Sequence, residues 1–225
     1  MQFTPLWIVT FCVFVACSLA IIFFAKFSTK PVDSYGFSFK RVFPFEVINR
    51  DQNAYIYKVL LCIFVATNVA PIFNNLTNEG QINNLGGISI AICCIFTLAA
   101  ICFVFLHYFD ATHTLVHIIL FVLFLCFTLL GNALSAIKGF SIFKVFTEHN
   151  QQAVMPAIGG TICALSATCG LISSLNPRLK SWANLTKTDN GFVRPKVFAL
   201  ALSEWITFFL LVIGEAGYFL ILLIQ

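Results

Sequence analysis

The chain has 225 residues, of which 60% are hydrophobic and only 10% charged, with a formal net charge of +4 and a mean hydropathy of +0.94. Soluble domains carry about 25% charged residues. Composition therefore excludes an ordinary soluble enzyme or nucleic-acid binder and predicts an integral membrane protein. Residues 1–225 are expected to form a single all-α membrane domain, a six-transmembrane-helix bundle, with no room for a second globular domain.

Six apolar segments follow in order. Pro5–Ala25 comes first and has no positive region before it, so it reads as a retained span and not a cleaved leader. The second, about Tyr55–Phe73, is entered with Lys58 and interrupted by Asn68 and Pro71. The remaining four are about Gly86–Leu106, Thr114–Ala136, Ala153–Leu175 and Phe198–Ile224. Each is long enough to cross a bilayer as a helix. The nine cysteines all fall in these apolar stretches, without the paired spacing of a zinc site, and read as small packing residues.

The connections differ in charge. The first, third and fifth share one side, and with Lys58 at its edge that side holds 11 of the 13 Lys and Arg residues. The other side holds Lys138 and Lys144, both assigned to the connection Ile137–Gln152. The positive-inside rule places the basic side in the cytosol and both termini outside. Two sequons are present: Asn75-Leu76-Thr77 on the basic-poor side and Asn184-Leu185-Thr186 on the basic side. Asn75 and Asn184 are the glycosylation candidates, and the charge count favours Asn75.

The fifth span carries Gly160, Ala164 and Thr168 at four-residue spacing, a small-residue face for close packing inside the bundle. The sixth carries two carboxylates, Glu204 and Glu215, 11 residues apart. At about 100° per residue they lie on one helix face. A charge at membrane depth costs about 3 kcal/mol on insertion scales, so this face is expected to turn inward, leaving Phe209, Leu210 and Ile213 for lipid. At the start of the fourth span stand Asp110, His113 and His117, within an arc of roughly 60° on a helix. They are the metal-site candidates, although no second cluster completes a site, and no metal or other cofactor is expected. His117 and Glu204 lie one and two turns inside the same membrane face. They are expected to pair, with His113 and Glu215, as the polar centre of the bundle; Asp110, His117 and Glu204 are the candidate catalytic residues should the chain be an enzyme.

Several short runs together resemble the damage-regulated autophagy modulator superfamily. It includes six-span proteins that remodel GPI-anchor lipids and plasma-membrane proteins linked to phosphatidylinositol 4-kinase. Asn176-Pro177-Arg178 after the fifth span is similar to the family's Asn-Pro-Arg, and Ser203-Glu204-Trp205 to its Cys-Glu-Trp. Asp110 with His117 resembles its acid-to-His pair, and Phe43-Pro44-Phe45 its Leu-Pro-Tyr. Where the family continues with Ser-Asp-Thr-Gly and Pro-Pro-Glu, this chain has Glu46-Val47-Ile48-Asn49-Arg50. The resemblance implies lumenal first and fifth connections, opposite to the charge count, and would make Asn184 the glycan acceptor.

It also implies a non-catalytic factor in autophagy, lysosome or phosphoinositide-linked membrane biology, in an endomembrane (lysosome, Golgi or ER) or the plasma membrane. Membrane lipids and proteins within the membrane are the implied partners, and nucleic acid is not. Two rivals stay open: a lipid- or GPI-anchor-remodelling enzyme, and a small-solute or proton pathway along the acidic stripe.

Overall fold

A computed structural model of the chain describes residues 5–27, 38–50, 54–78, 86–109, 114–148, 154–181, 186–188, 191–193 and 197–222. Six helices are long and apolar enough to cross a membrane. They are α1 (Pro5–Phe27), α3 (Ala54–Asn78), α4 (Gly86–Leu106), α5 (Thr114–Glu148), α6 (Val154–Ser174) and α7 (Ala199–Leu222). Helices suit the bilayer because each satisfies its own backbone hydrogen bonds where no water is available. The protein is a polytopic all-α membrane protein. A short helix α2 (Pro44–Arg50), a 3-10 turn (Pro177–Ser181) and a two-stranded hairpin lie in the connections. In the hairpin β1 (Thr186–Thr188) pairs antiparallel with β2 (Gly191–Val193), Thr186 opposite Val193.

Consecutive spanning helices pack as neighbours, and α7 closes the bundle against α5 and α6 while also touching α1 and α4. Its buried face carries Ala201, Glu204, Trp205, Phe208 and Leu211, all without exposed surface. Phe208 stacks on Phe103 of α4 at 4.5 Å between ring centroids, and Phe103 in turn meets Phe64 and Phe124. This aromatic cluster joins α3, α4, α5 and α7.

Close approach of α5, α6 and α7 depends on glycine. A Cβ on Gly139 would stand 2.9 Å from the Gly160 Cα and 2.7 Å from the Pro156 carbonyl, and one on Gly159 would collide with the Gly217 carbonyl. Gly160 thus sits at the α5 crossing, as the small-residue spacing predicts. Thr168, however, is exposed and bonds its hydroxyl to the Ala164 carbonyl, so the close-packed face does not extend to it.

Three further expectations are corrected. The fourth span does not end at Ala136: α5 runs 35 residues to Glu148, about 52 Å, longer than a hydrocarbon core of about 30 Å. Lys138 is therefore a buried helix residue and not a loop residue. Leu210 is 8% exposed, and it packs toward Gly170 of α6, so of the supposed lipid face only Ile213 is broadly exposed. The sequon Asn75 falls in the last turns of α3 and not in the following connection. Asn184 lies outside the described residues.

Candidate functional site

The inward stripe of α5 reads His117, Phe121, Phe124, Thr128, Asn132, Ser135, Lys138 and Ile142, at three- and four-residue steps. An ionisable group stands near each end of it, and each makes a separate polar centre.

At the first end His117 and Glu204, both fully buried, meet at 2.7 Å between Nε2 and Oε1. His117 Nδ1 stands 2.7 Å from the Phe109 carbonyl oxygen. A carbonyl only accepts, so Nδ1 carries a proton and donates it. The contact with Glu204 then requires one further proton on the line between Nε2 and Oε1, held as imidazolium and carboxylate or as imidazole and carboxylic acid. Either form has no net charge, which is the state an apolar bundle tolerates. Glu204 Oε2 is buried with no hydrogen-bond partner among the described residues.

The lid over this pair is the Phe43-Pro44-Phe45 run. Phe45 and Phe43 set their rings edge-on to the imidazole, at centroid distances of 5.5 and 6.3 Å. The run is fixed by elementary capping. Pro44 opens α2, where its missing N–H costs nothing, and the Glu46 carboxylate reaches back to accept from the Phe43 N–H at 3.0 Å. Trp205, next to Glu204, donates its indole N–H to the Val42 carbonyl at 2.8 Å, and the Phe198 N–H bonds the Lys40 carbonyl at 2.7 Å. Glu204 thus grips α5 while Trp205 grips the first connection. Asn176 acts locally. Its side-chain oxygen accepts the Arg178 N–H at 3.0 Å, which shapes the turn over Pro177 after α6 and leaves Arg178 exposed.

Beside the pair stands His107, one residue beyond the span of α4. Its Nδ1 faces the Phe103 carbonyl at 2.9 Å and its Nε2 faces the Tyr57 hydroxyl at 2.9 Å. With Nδ1 donating, Nε2 accepts from tyrosine and the ring is neutral. Burial drives its pKa down to about 4; the Phe103 hydrogen bond opposes that shift and the neighbouring His117 adds to it. Sequence reasoning passed over this contact. The available signal was that Tyr57 and His107 both lie within a turn of the same membrane face.

The second polar centre lies toward the opposite face. Lys138 is 1% exposed, hydrogen-bonds the Ser89 hydroxyl of α4, and lies 5.4 Å from the centroid of the Tyr218 ring of α7. Asn132 bonds the Thr128 carbonyl at 2.8 Å and the Leu210 carbonyl at 3.4 Å. Gly214 passes directly over it, and a Cβ there would overlap the Asn132 amide. Glu215 lines a cavity of about 50 Å³ together with residues of α1, α3 and α4.

Of the predicted site residues, the structure brings His117 and Glu204 together and keeps Glu215 apart, about 16 Å further along α7 at 1.5 Å per residue. Asp110 and His113 lie outside the described residues. Among the described residues no group of three His, Cys, Asp or Glu side chains could hold a metal. His117 has both ring nitrogens engaged within the protein, so it offers no lone pair to a metal in this arrangement. No protein-family model, curated protein or solved structure matches the chain.

Proposed function

We propose that the protein is a non-catalytic membrane factor in which the His117–Glu204 pair is a clasp joining α5, α7 and the first connection. The supporting observation is the complete burial of both side chains beneath Phe43 and Phe45. A general acid or base must come within hydrogen-bond reach of its substrate, about 2.6–3.2 Å. Here the imidazole spends both nitrogens on Phe109 and Glu204. The rival reading, a lipid- or GPI-anchor-remodelling enzyme, would need the first connection to lift before these groups met an acyl chain.

The biological setting rests on the sequence resemblance alone. It is autophagy, lysosome or phosphoinositide-linked membrane biology, in an endomembrane or the plasma membrane. The deciding experiment deletes the gene and measures lysosomal turnover and plasma-membrane phosphatidylinositol 4-phosphate. The wild-type chain and the apolar double variant His117→Leu/Glu204→Met are then returned. A clasp predicts a deletion phenotype that both chains rescue. A double variant that reaches the membrane at normal levels yet rescues nothing overturns the non-catalytic reading. No change in either measurement on deletion overturns the setting.

A further inference from the structure

The first connection is seated in the bundle and does not run over it. Of residues 41–48 seven are buried and the eighth, Phe45, is half-buried; connecting segments ordinarily lie on the surface. Phe39 sets its ring edge-on to Trp205 and Phe209, Phe43 meets Phe198, and α2 packs against α3 and α7. With Phe43 and Phe45 against the His117 imidazole, the segment is a plug over the buried pair.

Geometry sets the proton count of that pair. The Phe109 carbonyl keeps a proton on His117 Nδ1, and the 2.7 Å contact between Nε2 and Glu204 Oε1 holds one more. Without the second proton an imidazole lone pair would face a carboxylate oxygen. Glu204 would then carry a bare charge whose Oε2 has no partner among the described residues. The closed pair therefore binds one exchangeable proton. In water a histidine gives up this proton above about pH 6.5, and a glutamate takes one up only below about 4.3. Wetting the pair thus releases one proton above about pH 6.5, exchanges none between about 4.3 and 6.5, and takes one up below that range.

We propose that the pair is a proton lock on the first connection: the shared proton holds the plug shut, and its loss as pH rises lets residues 41–48 lift and water reach His117 and Glu204. The proposal rests on the clasp reading above. When the proton leaves, the Glu204 carboxylate stands close enough to the Glu46 carboxylate of α2 to repel it, which drives plug and α7 apart. Linkage fixes the sign and size. An opening that releases a proton becomes about tenfold more populated per pH unit above about 6.5. The neighbouring groups do not supply this dependence. His107 is neutral in the closed form down to about pH 4 and neutral in water above about 6.5. The others facing this centre are Tyr57 of α3, Arg41 and Glu46, and side chains of these three types change charge in water outside pH 6.5–8.5. Asp110 and His113 lie outside the described residues, and the variants below separate any titration of theirs from that of the pair.

The test is hydrogen–deuterium exchange of the full-length protein in nanodiscs between about pH 6 and 8.5, each rate divided by the intrinsic amide rate at that pH. The N–H groups of Arg41, Val42 and Glu46 are bonded to carbonyls within the segment and report its opening. Their protection should fall about tenfold per unit above about pH 6.5, close to a hundredfold by about 8.5, while amides in the middle of α4 keep theirs. In Glu204→Gln the carboxamide N–H donates to His117 Nε2 with no exchangeable proton, so the plug stays shut and the slope disappears. The double variant His117→Leu/Glu204→Met should be flat as well, and it decides the matter should Glu204→Gln fail to assemble. Wild-type protection that is the same at every pH, or the wild-type slope surviving in either variant, overturns the lock. His117→Ala at about pH 6 examines the clasp by itself. It should cut the protection of these amides at least about tenfold. No change there overturns the clasp and the lock with it, whereas a loosened plug with a flat wild-type profile overturns the lock alone.

Discussion

Replacing His117 by alanine isolates the clasp. The substitution removes two hydrogen bonds, each 2.7 Å long, to the Phe109 carbonyl and to Glu204 Oε1. Glu204 Oε2 has no partner among the described residues to begin with, so the carboxyl group would be left buried with neither oxygen satisfied. Losing the neutral backbone acceptor's partner costs about 1 kcal/mol, and losing a charge-assisted bond about 1.5–3 kcal/mol. The total, about 2.5–4 kcal/mol, overlaps the roughly 3–5 kcal/mol seen when one member of a buried pair is removed. In a chain of this length about 1 kcal/mol moves Tm by roughly 2–4 °C, so His117→Ala should lower it by roughly 5–16 °C. Glu204→Ala should behave alike. The double variant His117→Leu/Glu204→Met buries apolar groups of similar volume and should recover to within about 2 kcal/mol of wild type, because no orphaned charge remains. Fluorescence-monitored unfolding of the four proteins in one detergent closes the cycle. Single variants within about 3 °C of wild type, or a double variant as poor as the sum of the singles, would refute the clasp.

Gly159→Ala should cost about 1–3 kcal/mol, since its Cβ would meet the Gly217 carbonyl and the Ile221 backbone nitrogen at 3.1 Å, neither of which can swing away. Gly87→Ala, with nothing within 4 Å, should leave Tm unchanged or slightly raised, and a comparable loss at both sites would sink the packing argument. For His107 the folded ring stays neutral down to about pH 4, whereas an unfolded histidine takes up its proton near 6.5. Stability should therefore fall as pH drops from 6.5 to 4, by up to about 1.4 kcal/mol per unit from this group. His107→Gln, which can still accept from Tyr57, should flatten that slope, and an unchanged slope would count against it. On topology, cysteine labelling should place the Lys26–Ala54 and Asn176–Val197 connections in the cytosol, following the 11 basic residues on that side. A glycosidase-sensitive glycan on Asn184 would reverse the assignment.

The number of spans followed from the sequence because the bilayer permits little else: a long apolar run must satisfy its backbone internally, and a helix does so. The depth of His117 and Glu204 was legible for a similar reason. Both helices are entered from the same face, and a fixed rise of about 1.5 Å per residue puts the two side chains at reachable heights. Periodicity also put Glu204 and Glu215 on one face of α7. It could not say what each would meet. Glu204 found an imidazole 87 positions earlier on α5, and Glu215 found a cavity shared with α1, α3 and α4. Lys138 read as a loop residue because a lysine among apolar residues is locally ambiguous. Its burial was decided by Ser89 and Tyr218, which are supplied by two other helices. The Tyr57–His107 bond likewise joins residues 50 positions apart. A helical pattern specifies which side chains point inward and how deep they lie. Which of them touch is settled only when the helices choose neighbours, and here that choice followed from glycine crossings between α5, α6 and α7 and the aromatic cluster around Phe103.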